Sequence, residues 1–388
     1  MHKILTLNQI STKGLERFDQ HRYEIGNEIA DPDGILLRSH RLTSEDLSVS
    51  IKAIARAGAG VNNIPVPECT ERGIVVFNTP GANANAVKEL VLSAMLLGAR
   101  NISQGIRFVS ELKIEDPAEM LKRVEAEKKN FVGDELAGKT LGIAGLGAIG
   151  SMVAEIALAM GMEVLGYDPA LSLEAAWQLS KKIKKMESLS ALVAQSDYIT
   201  LHLPALESTR NLINEEILAT FKKGSRLLNF SRNEIVDTVA VANALENGRL
   251  SKYITDFPHP ALIGREDAVL LPHLGASTLE AEENCATMAA DQMIDFLENG
   301  NIKNSVNFPA LSLERTTEHR LVLLKSNIPE LLNATLAILS KSNTKVINMI
   351  SKSRGEQVST IIDLEIPLSS NQKKELEGIE GILNVRYL

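Results

Sequence analysis

The fold is decided by the stretch Thr140-Leu141-Gly142-Ile143-Ala144-Gly145-Leu146-Gly147-Ala148-Ile149-Gly150. Its first half predicts a short apolar strand, and residues 151–160 predict the helix that follows. Gly145, Gly147 and Gly150 have the spacing G-x-G-x-x-G. The first permits a tight turn, the second lets a pyrophosphate approach the backbone, and the third lets helix and strand pack closely. Because a helix N-terminus attracts anions, we expect this turn, including Ala148 and Ile149, to bind phosphate groups.

A second predicted strand supports this interpretation. Residues 163–167 predict a strand that ends at Asp168, about 20 residues beyond the glycine turn, where an acid would bind ribose hydroxyls. A glycine-rich turn alone is weak evidence, but strand, turn, helix, strand and acid in this order predict a dinucleotide site. The carboxylate of Asp168 would repel a 2′-phosphate, so it favours NAD over NADP.

Length and composition restrict the remaining possibilities. The 388 residues predict two or three domains, and a net charge of -8 argues against nucleic acid or an anionic membrane as a partner. Cys69 and Cys285 lie far apart without metal-ligand spacing, which predicts free thiols in a reducing cytoplasm and no metal site. The N-terminus does not resemble a signal peptide, and no apolar run would span a bilayer. We therefore expect a soluble cytoplasmic protein.

The first hundred residues alternate between predicted strands and helices. Strands are predicted at 2–7, 34–38, 52–55 and 74–77, and a long apolar helix at 83–100. This alternation predicts a parallel sheet with helices on both faces. After the third strand, the glycine-rich turn 56–63 offers the backbone of Gly58 and the guanidinium of Arg56 to a small anion. A charged segment at 103–134 predicts an exposed helical connection.

Polar residues follow the strands predicted in the second half of the chain. Strands at 198–204, 226–230 and 252–256 carry His202, Arg232 and Asp256 at or just beyond their ends. A further strand at 269–271 leads to His273. Because ligands of open parallel sheets bind outside the carboxyl ends of the strands, these residues are expected near the dinucleotide. The presence of Arg232 beside His273 favours catalysis over an ordinary surface role for the histidine.

These motifs together resemble the D-isomer-specific 2-hydroxyacid dehydrogenase family. The resemblance rests on the glycine turn with Asp168 and on segments 228–232, 255–256 and 272–278, and it covers about residues 1–305. It implies an α/β chain with two doubly wound parallel-sheet domains and NAD as the cofactor. The substrate domain would span 1–100, completed by 280–300, and the Rossmann NAD domain would span 101–279.

The C-terminal tail predicts a third domain. Strands at 320–325, 345–350, 359–364 and 384–387, with a helix at 328–340 and another before the last strand, resemble the α+β ACT domain. This regulatory module would occupy 319–388, after a linker at 301–318. Where serine-responsive ACT domains carry histidine, asparagine and proline-glycine, this chain has Lys325, Asn327 and Pro329-Glu330. The effector of the domain is therefore left open.

The resemblance also implies roles for the candidate site residues. A histidine can take the hydroxyl proton while the carbon gives up a hydride, which makes His273 the general base and acid. An arginine fork can hold the carboxylate, which makes Arg232 the substrate clamp. Asp256 would orient the nicotinamide, and the dinucleotide edge would include His202. Arg56, the backbone at Gly58, and Lys88 would contact a phosphorylated 2-hydroxy acid.

One departure from the family leaves alternatives open. The family's glutamate, which hydrogen-bonds to the catalytic histidine, is missing from segment 256–262. Glu266, Asp267 or His259 could replace it. The chain could also oxidise another 2-hydroxy acid, such as glycerate or lactate, or act as a dinucleotide-sensing binding protein. The resemblance and the segment 103–134 predict a homodimer or homotetramer.

Overall fold

The computed structural model describes residues 1–341 and 344–388. The chain divides into two compact units. The first unit contains residues 1–83 and 279–388, and the second contains residues 84–278.

Sixteen strands are found in these residues. In chain order they are β1 (His2–Leu7), β2 (Tyr23–Gly26), β3 (Gly34–Leu37), β4 (Ala53–Arg56), β5 (Val75–Phe77), β6 (Thr140–Ala144), β7 (Glu163–Tyr167), β8 (Lys184–Lys185), β9 (Tyr198–Leu201), β10 (Ser225–Asn229), β11 (Leu250–Thr255), β12 (Ala268–Leu270), β13 (His319–Ser326), β14 (Val346–Arg354), β15 (Gln357–Leu364) and β16 (Ile382–Tyr387).

The same ranges contain thirteen α-helices. They are α1 (Thr12–Leu15), α2 (Val66–Glu71), α3 (Ala84–Ala99), α4 (Ile102–Ser110), α5 (Pro117–Glu127), α6 (Ala148–Ala159), α7 (Leu173–Gln178), α8 (Leu189–Gln195), α9 (Glu215–Thr220), α10 (Thr238–Glu246), α11 (Leu279–Asn299), α12 (Pro329–Lys341) and α13 (Ser370–Glu377). Short 3₁₀ helices occur at Ser44–Asp46, Lys128–Phe131, Glu207–Thr209, Asn233–Ile235 and Pro260–Leu262.

The first unit contains a five-stranded parallel sheet with the order β2-β1-β3-β4-β5. Successive side chains of a strand point to opposite faces, and both faces are buried here. One apolar core lies against α11 and includes Ile4, Leu36 and Phe296, while the opposite core contains Ile35, Leu37 and other residues. Strand β2 was not predicted, because its four residues carry a polar glutamate and end in glycine.

The second unit contains a seven-stranded parallel sheet with the order β12-β11-β10-β9-β6-β7-β8. Its cores also occupy both faces: one includes residues of α8, α9 and α10, and the other includes residues of α3 and α6. The strand order reverses between β6 and β9, which makes the carboxyl ends of these two strands the topological switch point. Strand β8 was not predicted because it consists of two exposed lysines.

The C-terminal residues form a four-stranded antiparallel sheet with the order β14-β15-β13-β16. Helices α12 and α13 cover one face through a core that includes Leu321, Leu323, Ile338 and Leu376. The chain order is therefore βαββαβ. Two parallel α/β sheets and a small antiparallel sheet confirm the predicted fold class.

Helix α3 belongs to the second unit, whereas the sequence analysis placed the domain boundary at residue 100. Its residues Val87, Val91 and Met95 share a core with Ile143 and Val153 of the dinucleotide sheet. Contacts also group the C-terminal sheet with the first unit. The assignment of separate substrate, linker and regulatory domains stays a prediction.

Within the described ranges, no helix has both the length and the apolar character needed to cross a bilayer. Nor do these ranges contain a group of three or more His, Cys, Asp or Glu side chains that could hold a metal ion.

Candidate active site

The glycine turn is built so tightly that side chains would not fit. Gly145 has φ +94°, and a Cβ added there would overlap the carbonyl oxygen of His202. A Cβ on Gly150 would likewise overlap the carbonyl oxygen of Gly145. By contrast, a Cβ on Gly147 would meet nothing within 4 Å. Gly145 and Gly150 therefore serve packing, while the backbone at Gly147 faces open space.

The N-terminus of α6 carries no side-chain cap. Gly147 occupies the N-cap position without a side-chain hydrogen bond, and the Ser151 N–H donates to its carbonyl oxygen at 3.0 Å. Helix geometry gives the N–H groups of Ala148, Ile149 and Gly150 no acceptor inside the helix. These donors, together with the positive end of the helix dipole, can bind a pyrophosphate.

Asp168 lies directly after β7 and shapes the turn. Its Oδ2 accepts the Leu146 N–H at 2.8 Å, and its Oδ1 accepts the Ala170 N–H at 2.9 Å. The carboxylate is thus fixed beside the glycine turn. Each oxygen retains a lone pair for a further donor such as a ribose hydroxyl.

His202 lies just beyond β9, at the switch point. Its Nε2 is 3.0 Å from Thr200 Oγ1, and its Nδ1 is buried without a partner among the described residues. Burial lowers the pKa of His202 to about 3, because the charged imidazolium is poorly solvated there. The ring is therefore neutral at physiological pH, and its main chain packs against the glycine turn.

The Arg232 turn beyond β10 is held by two polar residues that the sequence analysis did not assign. Asn229 Nδ2 donates to the Arg232 carbonyl oxygen at 2.9 Å, and Asn229 Oδ1 accepts the Ser231 N–H at 3.1 Å. Ser231 Oγ donates to Leu203 O at 2.5 Å. The guanidinium of Arg232 donates to the Ser231 carbonyl oxygen, and no ion pair involves it within the described part of the chain. Its remaining donors can bind a substrate anion.

Asp256 and His273 are joined through the loop that follows β12. The His273 N–H donates to the Asp256 carbonyl oxygen at 2.9 Å, and the Gly275 N–H donates to Asp256 Oδ2 at 3.0 Å. Asp256 Oδ1 is buried and has no partner among the residues described. Burial raises the pKa of the Asp256 carboxyl, and the nearby Gly275 N–H and His273 oppose that shift.

His273 adopts a strained backbone conformation at an exposed position. Its φ of +46° lies in the left-handed region, which costs a non-glycine residue roughly 1–3 kcal/mol. The ring packs against Phe257, with centroids 5.0 Å apart at 59°. Strain of this kind is common where a side chain must be held for chemistry. Phe257 carried no sequence signal beyond its place after Asp256.

The structure shows where the residues that could replace the missing glutamate lie relative to His273. Asp267 is paired with Arg265 by two bonds of 2.8 Å, which lowers the pKa of the Asp267 carboxyl. Glu266 and Asp267 precede β12, whereas His273 follows it, so about 10 Å of strand separates them. His259 Nδ1 accepts the Ala261 N–H at 3.2 Å. His273 has no carboxylate ion pair within residues 1–341 and 344–388.

The predicted substrate residues are held by local contacts. Arg56, at the end of β4, donates to the carbonyl oxygens of Arg38 and Gly60, and a Cβ on Gly58 would come within 2.8 Å of its guanidinium. Arg56 and Gly58 therefore shape one turn of the first unit. In the second unit, Lys88 Nζ lies on the first turns of α3 and donates to the Asn85 side chain.

Comparisons with known proteins identify the family of the chain. Residues 92–275 match the NAD binding domain of the D-isomer specific 2-hydroxyacid dehydrogenases. The chain is 34% identical to D-3-phosphoglycerate dehydrogenase of Haemophilus influenzae over 382 residues, which cover 94% of this chain and 88% of that protein. It is 37% identical to the enzyme of the same name from Synechocystis sp., over 80% of this chain. There it spans only 57% of the relative's length.

A solved structure shows the same fold. The 3-phosphoglycerate dehydrogenase of Entamoeba histolytica with bound NAD+ is 28% identical, with a TM-score of 0.63, over 80% of this chain and 99% of that one. The resemblance stated from the sequence motifs is confirmed by these matches. The chain belongs to the D-isomer specific 2-hydroxyacid dehydrogenase family.

Proposed function

We propose that the protein is an NAD-dependent D-3-phosphoglycerate dehydrogenase, which oxidises 3-phosphoglycerate to 3-phosphohydroxypyruvate for serine biosynthesis. The observation that carries this proposal is the placement of Arg232, Asp256 and His273 at the carboxyl edge of the dinucleotide sheet. The relative from Haemophilus influenzae, which bears this name and matches 94% of the chain, supports the choice of substrate.

Two side chains perform the chemistry on the hydroxy acid. The guanidinium of Arg232 binds the substrate carboxylate in two-point geometry and fixes the 2-hydroxyl in front of His273. The neutral imidazole of His273 takes the hydroxyl proton as the C2 hydride leaves, and it returns that proton in the reverse reaction. The contact with Phe257 and the strained backbone hold the imidazole in one orientation.

The residues of the second unit fit NAD. The uncapped α6 N-terminus and the open space at Gly147 would hold the pyrophosphate, and Asp168 would bind the adenosine ribose. The unpartnered Oδ1 of Asp256 would accept from the nicotinamide carboxamide, with His202 lining the same edge. NAD supplies the hydride acceptor when bound.

The substrate phosphate would be bound by two cationic groups. The turn that includes Gly58 would present the guanidinium of Arg56, and Lys88 would add a positive charge near the start of α3. A phosphate carries up to two negative charges, so these groups would favour a phosphorylated acid over its plain counterpart.

A substrate panel tests the proposal. NADH formation would be followed with D-3-phosphoglycerate, D-glycerate and D-lactate, using wild type and His273→Asn. The expected result is the highest kcat/KM for the phosphorylated acid and a loss of roughly 10²–10⁴-fold in His273→Asn. The matched control is His21→Asn, at an exposed histidine of the first unit, which should leave kcat/KM unchanged.

Two other outcomes would identify the alternatives. A preference for glycerate or lactate would make the protein a dehydrogenase of another 2-hydroxy acid. NADH binding without turnover of any acid would make it a dinucleotide-sensing binding protein. The absence of a carboxylate partner for His273 within the described residues favours this last alternative, because a sensor needs no tuned base.

We also propose a homodimer or homotetramer. Apolar side chains of α4 and its flanks are exposed, among them Ile106 at 65%, Val109 at 52% and Val132 at 73%. A second copy would cover this surface. Light scattering should give two or four times the chain mass, and a single-chain mass at assay concentration would contradict the proposal. The buried free cysteines, Cys69 and Cys285, fit a reducing compartment such as the cytoplasm.

A further inference from the structure

The C-terminal end of α11 is closed by arginine side chains. A helix leaves the carbonyl oxygens of its last four residues without partners inside the helix. In α11 all four accept guanidinium N–H groups: Phe296 and Leu297 from Arg386 at 2.7 Å each, Glu298 from Arg315 at 3.0 Å, and Asn299 from Arg320 at 2.9 Å. We call Arg315, Arg320 and Arg386 the arginine cap.

Two members of the arginine cap belong to the C-terminal sheet. Arg320 is on β13 and Arg386 is on the adjacent β16, while Arg315 lies in the segment before β13. Arg320 and its partner Asp363 on β15 are both completely buried, with bonds of 2.6 and 3.1 Å. Three strands of the sheet are therefore tied to one helix end.

The buried positive charge of Arg386 is stabilised by α11. It forms no ion pair with a residue that the structure describes, and it is 6% exposed. The negative end of the helix dipole and the ring of Phe296, 4.5 Å from the guanidinium carbon, balance its charge. Burial lowers the pKa of Arg386 to about 10, so it remains protonated at neutral pH.

Apolar packing joins the same two elements. Leu324 of β13 lies in one core with Phe77, Phe296 and Phe308. Gly300 ends the helix with φ +74°, and a Cβ there would overlap the side chain of Val322. The end of α11 and the face of the C-terminal sheet are thus in close apolar contact.

We propose that the arginine cap makes the C-terminal sheet and α11 a single rigid body, so that any loosening or displacement of the sheet is transmitted along the helix. The first residue of α11, Leu279, directly follows the loop that carries His273. The other side of the helix packs on the five-stranded sheet through Ala286, Ala289 and Met293. The C-terminal sheet therefore has no independent hinge to the helix, and α11 carries its movements toward the catalytic loop.

Hydrogen–deuterium exchange of the full chain tests the coupling. Arg386→Met removes the two hydrogen bonds to α11 and puts an unbranched apolar side chain in place of the arginine. Amides of β13, β16 and the C-terminal half of α11 should then exchange together, at least about tenfold faster than in wild type. The control is Arg354→Met, an exposed arginine of the same sheet that donates to Ser305 O instead of to the helix. This control should leave the exchange rates of all these amides unchanged.

Faster exchange in β13 and β16 with α11 unchanged would overturn the proposal. If Arg386→Met fails to fold, Arg315→Met at an exposed position removes one bond to the helix, at Glu298 O, together with two local bonds to Thr317 O and Glu318 O. That variant should still accelerate exchange in the last turn of α11 and the start of β13 together. Exchange confined to the segment around residue 315 would again overturn the coupling.

A kinetic measurement extends the test to the active site, and this part rests on the proposed function. Arg386→Lys keeps the charge but cannot meet two carbonyl groups with a rigid fork. It should lower kcat/KM for the hydroxy acid severalfold while the Kd for NADH stays unchanged. A parallel loss of NADH affinity would contradict transmission through α11. Inactive wild-type protein would refute the proposed function and leave the exchange result to decide the coupling.

Discussion

The N-terminus of α6 and the C-terminus of α11 are the two most informative helix ends of the chain, and they are built in opposite ways. The first has a glycine at the N-cap, no side-chain cap and open space in front of it. The second has each of its last four carbonyl groups bonded to an arginine. Both ends face the same physical requirement, because unpaired backbone groups must find partners or stay hydrated.

The difference separates binding from structure. A helix end that is completed by the protein's own side chains has no capacity left for a ligand. An end that is left open at a strand–turn–helix junction can bind an anion from solution. The open end is therefore the place where substitutions should change ligand affinity, and the closed end is the place where they should change stability.

The largest effect is expected from breaking the closed end at Asp363. Asp363→Asn keeps the shape of the side chain but leaves the guanidinium of Arg320 buried without a countercharge. The free energy of unfolding should fall by about 3–5 kcal/mol, as measured by denaturant titration. Glu365→Gln is the matched control, since Glu365 forms an exposed ion pair with Lys345 at 3.5 Å. Its effect should stay below about 1 kcal/mol. Equal losses in both variants would contradict the structural role of the closed end.

The next prediction closes the open end. Gly147→Asp places a preferred N-cap residue at extended backbone angles, where it should stabilise α6 slightly, by about 0.3 kcal/mol relative to glycine. The same carboxylate would occupy the space in front of the helix and repel a pyrophosphate. Calorimetry with NADH should therefore show at least a hundredfold loss of affinity, together with an unchanged or higher Tm.

Gly147→Asn separates the two causes of that loss. Asparagine also caps the helix but carries no charge, so it should weaken NADH by less than aspartate does. A Gly147→Asp variant that binds NADH like wild type would show that the open end is not the pyrophosphate site.

The contrast also explains which features were predictable from sequence. The open end could be predicted because its three glycines lie within one short stretch. The apolar strand before them and the helix after them also have different patterns of apolar residues. Arg232 and His273 were visible because strand ends of a parallel sheet converge.

The closed end was not predictable. Arg315, Arg320 and Arg386 lie in different elements, and an arginine near a strand is usually exposed. The burial of Arg320 and Arg386 depends on carbonyl groups that carry no side-chain signature. The partner of His273 could not be predicted from sequence spacing either. Asp267 lies only six residues before His273, which made it a candidate, but it precedes β12 and pairs with Arg265.

A smaller effect is expected at Asp168, which borders the open end. Asp168→Ala removes the acceptor of the Leu146 N–H and the proposed ribose contact. It also removes the charge that repels a 2′-phosphate. The Kd for NADH should rise about tenfold, while the Kd for NADPH should change little or fall. Equal losses for both cofactors would mean that Asp168 supports the turn without reading the ribose.

The smallest effect concerns His202, whose ring lies between the two extremes: one nitrogen is paired and the other is buried and unpaired. The pKa of His202 is about 3 in the folded protein, against an ordinary value of 6.5. Between these values the unfolded chain binds the proton and the folded chain does not. Stability is therefore complete above pH 6.5 and declines as the pH falls toward 3. The expected loss is about 1 kcal/mol between pH 6.5 and 5.5.

Denaturant titrations at several pH values would measure this loss. His202→Asn should remove it, so that the free energy of unfolding of the variant changes less over this range than that of wild type. His21→Asn, at an exposed histidine of the first unit, is the control and should retain the wild-type slope. If His202→Asn keeps the full slope, groups other than His202 cause the pH dependence. Water would then solvate the His202 ring of the folded wild-type protein when its unpaired nitrogen gains a proton. In that case the edge of the sheet at His202 would be open to water like the α6 N-terminus, and not closed like the end of α11.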